Sequence, residues 1–334
     1  MIRLAARRRG GRRLIIVLVA CGVFVPLSTF AAKNPVAVFQ EFCRFFDQRY
    51  AFFDLRGVDW PQQKAAYRPR VTAATTDDEL FAIMCEMIDP LDDHHTSVTR
   101  GSSKCFADDF LPWHGRSGEI QRFIQLKYLR TPATVAGAIT YGLIDEATGY
   151  IDIRHMGCKS GSEMDQALAV MTPVKKIVLD LRFNRGGYDT CALGLASRFA
   201  DQKRLVVSRQ VFNNGTFGRR HDMSFAPRGR VQATARLVVL TSRETISAGE
   251  TFVMAMMMLP RAIIVGEPTG GFHSDIWERK LSNGWIVGLS AEKFILPDGE
   301  VYEKVGLPPH LLIPFAGDVI EKARDELLEA ALAL

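Results

Sequence analysis

Residues 237–250 read LVVLTSRETISAGE, and this stretch decides the fold class and supplies the first candidate site residue. The apolar run Leu237–Leu240 has the pattern of a short buried strand, and TFVMAMMML at 251–259 has that of a helix. Between them, Ser247 would sit where the first N–H groups of a helix lack intrahelical partners. Such a turn can hold a nucleophile and half of an oxyanion hole. Serine is also a common helix N-cap, so this segment alone leaves both interpretations open.

Strands and helices alternate through the second half of the chain, which predicts one α/β domain over residues 149–315. Strands are predicted at 150–154, 176–181, 205–211, 237–240 and 262–265. Helices are predicted at 161–171 and 190–200, and residues 316–334 are expected to close the chain as a helix from Asp318. Asn283-Gly284 is a turn signal within a hairpin at 282–291.

The region before this domain has a helical pattern. Phenylalanines recur at three- and four-residue spacing between Phe39 and Phe46, as on the buried face of a helix. Further helices are predicted at 60–67 and 77–88, the second with Thr75 or Thr76 as its N-cap. These helices define a subdomain of residues 33–98. Residues 99–148 form an unassigned connecting region, with turn-like pieces at 100–104 and 114–118 and strand-like pieces at 120–129 and 134–144.

The first 31 residues have the features of a signal peptide. A basic start precedes the apolar run Leu14–Val25, and small residues precede Lys33. Cleavage after Ala31 is predicted, with two alternatives: lipidation at Cys21, where LVAC resembles a bacterial lipobox, or an uncleaved membrane anchor. All three place the body of the protein in the periplasm or outside the cell, and the two alternatives add association with a membrane.

Charge and composition exclude a nucleic-acid partner. The formal net charge is +5, but residues 1–32 hold six arginines and no acidic residue. The rest of the chain has 36 basic and 37 acidic side chains, so no basic footprint is expected. A hydrophobic content of 47% and a charged content of 24% are those of an ordinary globular protein.

Five cysteines follow the predicted signal: Cys43, Cys85, Cys105, Cys158 and Cys191. They form no CxxC pair and fit no zinc spacing, so no metal site is expected. An odd number leaves at least one thiol outside intramolecular disulfides. Cys43 and Cys85 fall in helical patterns and are predicted to be simply buried.

A second informative segment, DLRFNRGG, spans residues 180–187. A buried strand runs into Gly186 and Gly187, and a helix follows. Glycine permits positive φ and close backbone approach, so the N–H groups of this pair can face a ligand. The alternative is a tight strand–helix turn with a buried pair of Asp180 and Arg182.

Two more segments contribute ionisable side chains. LDDHHT at 91–96 offers His95 as a general base for a serine nucleophile. A metal site built from the two histidines and their aspartates is the alternative, but the ligand spacing does not support it. PDGEVYEKVGLPP at 297–309 places Glu303 between turn-rich pieces, where a carboxylate on its own is most often solvated.

Taken together and in this order, DLRxNxGG, the TISAGE turn, GEPTGG at 266–271 and PDGEVYEKVGLPP resemble the core of the C-terminal processing (tail-specific) peptidase family of serine proteases. The helical region ending in DxHT resembles the N-terminal part of its tricorn-like and retinoid-binding-protein-like branch. The resemblance covers residues 35–98 and 149–315. It implies a Clp-protease/crotonase-like core of β-β-α units with an N-terminal α-helical subdomain, a peptide or unfolded-protein substrate, and no cofactor. About fifty residues separate the two parts, too few for the PDZ domain that many members carry.

The same resemblance implies a catalytic serine and an oxyanion hole. Ser247 matches the nucleophile, and the backbone N–H groups of Ala248 and of either Gly186 or Gly187 match the oxyanion hole. In one branch the base is a lysine. That position falls near Phe272, and no lysine occurs between Ser247 and Lys280. A Ser–Lys mechanism is therefore disfavoured.

In the tricorn-like branch the base is a histidine from the helical subdomain, and His95 matches it, with Glu303 in a supporting network. Asp93 and Ser274 are further candidates for support, the hydroxyl of Ser274 as a link from Glu303. His94 stays a rival to His95, because the alignment rests on the short DxHT pattern.

Two other classes of function stay open. The scaffold could be a non-catalytic module that binds a hydrophobic ligand or a peptide. It could also act on acyl thioesters in the manner of crotonases, although an exported protein meets little coenzyme A. The joint presence of the serine, histidine, glutamate and glycine pair favours a peptidase. The sequence leaves the cleavage preference and the oligomeric state undetermined.

Overall fold

The computed structural model describes residues 34–107, 116–131, 133–158 and 161–334. The predicted signal peptide, with its alternatives at Cys21, lies outside the described residues. Within the described part of the chain, no helix is long and apolar enough to cross a membrane.

The described residues form nine α-helices and fifteen strands. The helices are α1 (Pro35–Arg49), α2 (Phe53–Arg56), α3 (Trp60–Tyr67), α4 (Asp77–Ile88), α5 (Ser117–Lys127), α6 (Ser162–Ala169), α7 (Asp189–Ala196), α8 (Ala248–Met257) and α9 (Glu326–Ala333). The strands are β1 (Asp93–Arg100), β2 (Ser103–Ala107), β3 (Thr134–Ala136), β4 (Ile139–Leu143), β5 (Thr148–Ile153), β6 (Lys176–Asp180), β7 (Arg204–Asn213), β8 (Thr216–Phe217), β9 (His221–Phe225), β10 (Arg236–Thr241), β11 (Ala262–Gly266), β12 (Ile276–Lys280), β13 (Ile286–Ser290), β14 (Glu292–Ile295) and β15 (Leu311–Leu312).

A seven-stranded sheet with the order β15-β11-β10-β6-β5-β4-β3 forms the centre of the molecule. Strands β5, β6, β10, β11 and β15 are parallel, and β4 and β3 continue the sheet antiparallel. Leu237 and Val239 pack in one hydrophobic core with α6, α7 and α8, whereas Val238 and Leu240 pack in another with α5 and α9. Burial on both faces explains why the strand reads as an unbroken apolar run. The α/β fold class is as predicted.

A second sheet joins the N-terminal helices to the C-terminal half. Its order is β12-β13-β1-β2, all antiparallel. The buried face of α1, including Phe42 and Phe46, packs in one core with residues of the β12–β13 hairpin such as Trp285 and Val287. The predicted boundary at residue 98 therefore falls inside β1, a strand that the two halves share.

A third sheet lies beside the first two and has β7 as its central strand. β7 pairs with β14, β8 and β9. Its residues Val206 and Val207 are buried in the core that also contains α7 and α8. This packing fixes β7 close to the helix that begins after Ser247.

Two predicted elements are wrong in type or extent. The predicted strand-like piece 120–129 is mostly helix, since α5 extends to Lys127, and Ile120 and Ile124, four residues apart, are the positions that pack on the sheet. The C-terminal helix begins only at Glu326, since Ala323 has a φ of 49° and the side chain of Asp325 caps the helix by accepting the N–H of Leu328 at 3.0 Å.

The cysteine prediction is wrong for Cys85, which forms a disulfide with Cys105 and so ties α4 to β2. A second disulfide joins Cys158 to Cys191 at the start of α7. Cys43 is the free, buried thiol of the described residues, and burial raises its pKa to about 12.

The DLR part of the DLRFNRGG motif is structural. The Arg182 guanidinium is fully buried and donates to both carboxylate oxygens of Asp180 and to those of Asp325, at 2.6–3.2 Å. The buried Asp–Arg pair expected from sequence is therefore present, and it also anchors α9. Only the NRGG part of the motif turns toward Ser247.

Candidate active site

Ser247 lies between β10 and α8 in a strained turn. It is half-buried, and its φ of 56° and ψ of −130° are values that non-glycine residues rarely adopt. Strain of this kind costs about 1–3 kcal/mol and persists where surrounding contacts enforce it. Here the N–H of Ser247 lies 3.0 Å from Oε2 of Glu250 and 3.1 Å from the carbonyl of Phe272, and donates to both. These hydrogen bonds hold the main chain of Ser247 in its strained conformation, which fixes the direction of its Cα–Cβ bond.

The glycine pair lies directly against this serine. Gly186 has a φ of 82°, and a Cβ placed on it would lie 2.5 Å from Cβ and 2.9 Å from Oγ of Ser247. Gly187 has a φ of 138°, and a Cβ there would collide with the carbonyl of Met156. Both positions require glycine for conformation and for space.

The two glycines differ in what their N–H groups do. The N–H of Gly186 donates to Oδ1 of Asn184 at 2.9 Å. Within the described part of the chain, the N–H groups of Gly187 and Ala248 donate to no protein acceptor. These two are therefore the better matched pair of donors for an oxyanion.

Asn184 connects the glycine turn to the serine turn. The sequence analysis assigned no role to this residue. Its side-chain Nδ2 donates to the main-chain carbonyl of Ile153 at 2.8 Å. Its main-chain carbonyl accepts the N–H of Ile246 at 3.0 Å. The signal available in the sequence was its place within DLRxNxGG, two residues before Gly186.

His95 lies on β1, and its side chain is almost completely buried. Its Nδ1 is 2.6 Å from the carbonyl oxygen of Ser274. Since a carbonyl only accepts, Nδ1 carries the proton and Nε2 of the neutral ring has the lone pair. Burial lowers the pKa of His95, although the nearby Asp93 carboxylate acts in the opposite direction. The ring is therefore held neutral and in the tautomer of a base.

Asp93 positions β1 through several hydrogen bonds. Its fully buried carboxylate accepts the hydroxyls of Tyr50 at 3.0 Å, Thr96 at 3.1 Å and Ser290 at 3.2 Å. It also accepts the main-chain N–H of His95 at 3.0 Å. The aspartate thus fixes the backbone that carries the histidine.

Glu303 also positions the surroundings of His95, through the segment that contains Ser274. Its Oε2 accepts the N–H groups of His273 at 2.9 Å and Ser274 at 3.1 Å, and Oε1 lies 3.6 Å from Nη2 of Arg56. Burial raises the pKa of Glu303 to about 8, although His273 acts to lower it. Glu303 therefore holds the segment whose carbonyl orients His95, and it reaches the histidine through that main chain.

The hydroxyl of Ser274 does not form the link from Glu303 that the sequence suggested. It donates to the carbonyl of Asp275 at 3.0 Å and accepts the N–H of Glu292 at 2.9 Å. Ser274 instead takes part through its main chain. Its N–H donates to Glu303, and its carbonyl accepts from Nδ1 of His95.

Glu250 and His273 complete the buried network, and the sequence analysis missed both. Nε2 of His273 is 3.0 Å from Oε1 of Glu250, and Nδ1 is 3.7 Å from Oε2 of Glu303. Burial disfavours the imidazolium, but the Glu250 carboxylate outweighs this and raises the pKa of His273. The available signal was Glu250 three residues after Ser247, the spacing of a capping box.

His94 lies apart from this network. Its ring stacks on Phe106 at 5.0 Å and also contacts the ring of Phe272 at 5.7 Å between centroids. The ring of His95 also contacts Phe272, at 6.1 Å between centroids, but His95 is buried and bound to the Ser274 carbonyl, whereas His94 is half-buried. Among the described residues, no group of three or more histidine, cysteine or acidic side chains is arranged to hold a metal ion.

The segment 271–275 is thus the common neighbour of Ser247, His95 and Glu303. It contacts the main chain of Ser247, the ring of His95 and the carboxylate of Glu303. The glycine pair follows β6, the parallel neighbour of β10, and so reaches the serine at the same carboxyl edge of the sheet, where ligands bind in open parallel sheets.

Known proteins share both the sequence pattern and this fold. The chain is 28% identical over 192 residues to the carboxyl-terminal-processing protease of a Picosynechococcus species, a match that covers 55% of this chain and 44% of that protein. A similar protease from Synechocystis is 27% identical over 64% of this chain and 51% of its own length. The match therefore spans about half the length of these relatives.

A crystal structure of a Parabacteroides merdae protein superposes with a TM-score of 0.80 and 28% identity over 90% of this chain and 96% of the other. The tricorn protease shares the fold alone, with a TM-score of 0.57 at 14% identity over 90% of this chain and 36% of its own. Residues 32–89 match the model of the tricorn protease C1 domain. Residues 147–313, half of the chain, match the model of peptidase family S41, and the chain belongs to that family.

Proposed function

We propose that this chain is an exported serine endopeptidase that hydrolyses peptide bonds in peptides or unfolded proteins. The observation that carries the proposal is the packing of Gly186 against Ser247, beside the N–H groups of Gly187 and Ala248, which have no acceptor among the described residues. A strained nucleophile beside two backbone donors is the arrangement that acyl transfer requires.

In the proposed reaction, Oγ of Ser247 attacks the carbonyl carbon of the scissile peptide and passes its proton to Nε2 of His95. The N–H groups of Gly187 and Ala248 bind the resulting oxyanion. His95 then gives its proton to the departing amine, and the C–N bond breaks to leave an acyl-serine ester. A water molecule, deprotonated by His95, hydrolyses this ester and restores Ser247.

The remaining polar residues keep this machinery in place. The Ser274 carbonyl holds the His95 ring by its Nδ1–H, and it would stabilise the imidazolium that forms during attack. Glu303 accepts the N–H groups of Ser274 itself and of the preceding His273, and so keeps this carbonyl in position. Glu303 is accordingly a positioning residue.

Two disulfides support export. Cys85–Cys105 and Cys158–Cys191 would form and persist in an oxidising compartment such as the periplasm. This agrees with the signal peptide expected over residues 1–31.

The proposal is tested by casein cleavage with the purified exported protein and three variants. We expect Ser247→Ala and His95→Ala each to lower kcat/KM by about 10³-fold or more, since the members of such a pair act as one unit. His94→Ala is the matched neighbour and should keep activity within about tenfold.

Unchanged melting temperatures would show that the losses are chemical. If His94→Ala were the inactive variant instead, the base would be His94. Equal activity in Ser247→Ala and the parent would reject the serine mechanism, and failure of the parent to cleave any unfolded protein would favour a binding module on the same scaffold.

A further inference from the structure

A cavity of about 620 Å³ begins at Gly187, next to the proposed oxyanion hole. Its floor is formed by the start of α7, at Tyr188 and Asp189, and one wall by the edge strand β12, at Ile276 and Glu278. A side chain two or three residues from a scissile bond held at Ser247 would reach this space, because one extended residue spans about 3.3 Å.

Acidic side chains dominate the charge around this cavity. Nη1 of Arg209 lies 2.7 Å from Asp275, 3.5 Å from Glu292 and 3.8 Å from Asp189, so one guanidinium faces three carboxylates. Glu278 joins Asp189 and Asp275 as the third acid of the cavity lining. The guanidinium of Arg49 lies over the ring of Trp277, another lining residue, at 4.7 Å.

Two of these carboxylates have an oxygen that accepts no hydrogen bond within the described part of the chain, although each of these oxygens lies 3.5–3.8 Å from Nη1 of Arg209. Oδ2 of Asp189 and Oε2 of Glu292 are buried and accept no hydrogen bond from the described residues, while the partner oxygens accept from Thr251 at 2.7 Å and Trp277 at 3.0 Å. Glu292 as a whole is only 6% exposed. A buried carboxylate oxygen without a donor is unfavourable, and a cationic donor from a ligand would satisfy it.

The rest of the lining is apolar and suits a long aliphatic stem. Leu193, Met223, Ile276 and Trp277 line the cavity together with the acids. Lysine and arginine combine such a stem with a charged end, and both fit apolar walls that end in carboxylates. An acidic side chain or a free carboxylate would meet an excess of negative charge there.

Building on the proposed peptidase function, we propose that this cavity is a specificity subsite that binds a lysine or arginine side chain of the substrate, with Asp275 and Asp189 as its charge partners. The charged end of the substrate side chain would add positive charge to the cluster of ionisable side chains around Arg209, in which carboxylates outnumber cations. Repulsion is already present: burial together with the Asp275 charge raises the pKa of Asp189 to about 6.

The first test maps casein cleavage sites by mass spectrometry, then compares peptides that differ only by lysine or norleucine at the enriched position. Norleucine keeps the stem and removes the charge. We expect lysine to raise kcat/KM by about tenfold at one position near the scissile bond, and the effect to weaken at high salt.

Variants of the cavity should move this preference in opposite directions. Asp275→Asn should reduce the lysine-to-norleucine ratio severalfold with little change for norleucine, whereas Arg209→Gln should increase the ratio because it removes the competing cation. Glu146→Gln is the control: Glu146 is an exposed acid paired with Arg130, far from the cavity lining, and should leave the ratio unchanged.

Different results would overturn the proposed subsite and the proposed peptidase function. Cleavage with no preference for lysine, or with a preference for acidic residues, overturns the subsite and leaves the peptidase standing. If the parent cleaves nothing, the matter is decided by the binding to Ser247→Ala of a fluorescent, lysine-containing casein peptide and of its copy with norleucine in place of each lysine. Tighter binding of the lysine peptide supports the cavity without the chemistry, and equal binding rejects it.

Discussion

At the scale of single residues, the contact between Nδ1 of His95 and the Ser274 carbonyl determines what the histidine can do. It fixes the tautomer and leaves Nε2 as the basic nitrogen. Burial then lowers the pKa of the ring, so that the neutral form persists into mildly acidic solution. A serine peptidase with such a base keeps working where an exposed histidine would already be protonated.

This gives a prediction for the pH dependence of catalysis. The base must be neutral, and its pKa in the fold lies below the ordinary value of 6.5, so activity should fall only as pH drops through a midpoint below 6.5. The measurement is the profile of kcat/KM against pH. Asp93→Asn should move the midpoint lower still, because the Asp93 carboxylate raises the pKa of His95. A midpoint above pH 6.5 would contradict the assignment of His95 as a buried base.

A group of buried ionisable side chains next to the site also acts at the scale of single residues. His273 lies between Glu250 and Glu303, and all three side chains are almost fully enclosed. Removing one member of such a group leaves an uncompensated charge, which is why buried networks hold a loop in a single conformation. Here that loop is 271–275, the neighbour of both Ser247 and His95.

At the scale of elements, two turns at adjacent strand ends build the site. The turn after β6 brings Gly186 against the turn after β10, where Ser247 has its positive φ. The sequence lacks the first glycine of GxSxG and has Thr245 in its place, yet the serine is strained in a similar way to the nucleophile of that motif. Asn184 and Glu250 supply the constraint by accepting the N–H groups of Ile246 and Ser247.

A substitution at Gly186 should therefore damage the site directly. Gly186→Ala puts a Cβ 2.5 Å from that of Ser247 at a φ of 82°, so we expect kcat to fall by at least about 10²-fold and the free energy of unfolding to fall by about 2 kcal/mol. Steady-state kinetics and urea unfolding measure the two effects.

Gly194→Ala is the matched control for this substitution. Gly194 lies within α7, and a Cβ there meets open space. It should leave kcat unchanged and stabilise the protein by up to about 1 kcal/mol, the difference in helix propensity. Normal activity in Gly186→Ala would show that the glycine turn and the serine turn are not packed as described.

At the scale of the whole molecule, the shared sheet β12-β13-β1-β2 decides how His95 meets the half that carries Ser247. β1 pairs with β13 from Ser97 to Thr99, so the histidine is joined to that half by main-chain hydrogen bonds. The disulfide between Cys85 and Cys105 then ties the neighbouring β2 to α4. A large movement of His95 away from the half that carries Ser247 would have to break this sheet.

The Cys85–Cys105 disulfide should contribute measurably to stability. For a loop of about 20 residues, its loss is expected to lower the free energy of unfolding by about 3 kcal/mol. The double variant Cys85→Ala, Cys105→Ala, which removes both thiols, should therefore melt at a lower temperature than the parent. Differential scanning calorimetry with and without reductant makes the comparison.

In the parent, the reductant should lower the melting temperature through both disulfides. In the double variant its effect should be smaller, because only Cys158–Cys191 is left to reduce. Identical melting of parent and variant without reductant would argue that the pair is not joined in the native protein.

Local patterns in the sequence were sufficient for the parts of the site that lie within one turn. The unbroken apolar run before Ser247, the glycines at 186 and 187, and the phenylalanine spacing in α1 each reflect a requirement of neighbouring residues: burial on both faces, positive φ, or a helix period. Helix α5 was mistaken for a strand, because a short apolar pattern is ambiguous until the surface on which Ile120 and Ile124 pack is known.

The sequence by itself determined the α/β class, the family resemblance and which residues were candidates for chemistry, because those depend on local conformation and on residue type. Only the tertiary structure decided how they are connected. His95 and Ser274 are 179 positions apart, and Arg182 and Asp325 are 143 apart. Contacts over such separations depend on how sheets and helices pack, and packing leaves no periodic trace in the chain. For the same reason, Gly187 could be distinguished from Gly186 as an oxyanion donor only once the partner of each N–H was known.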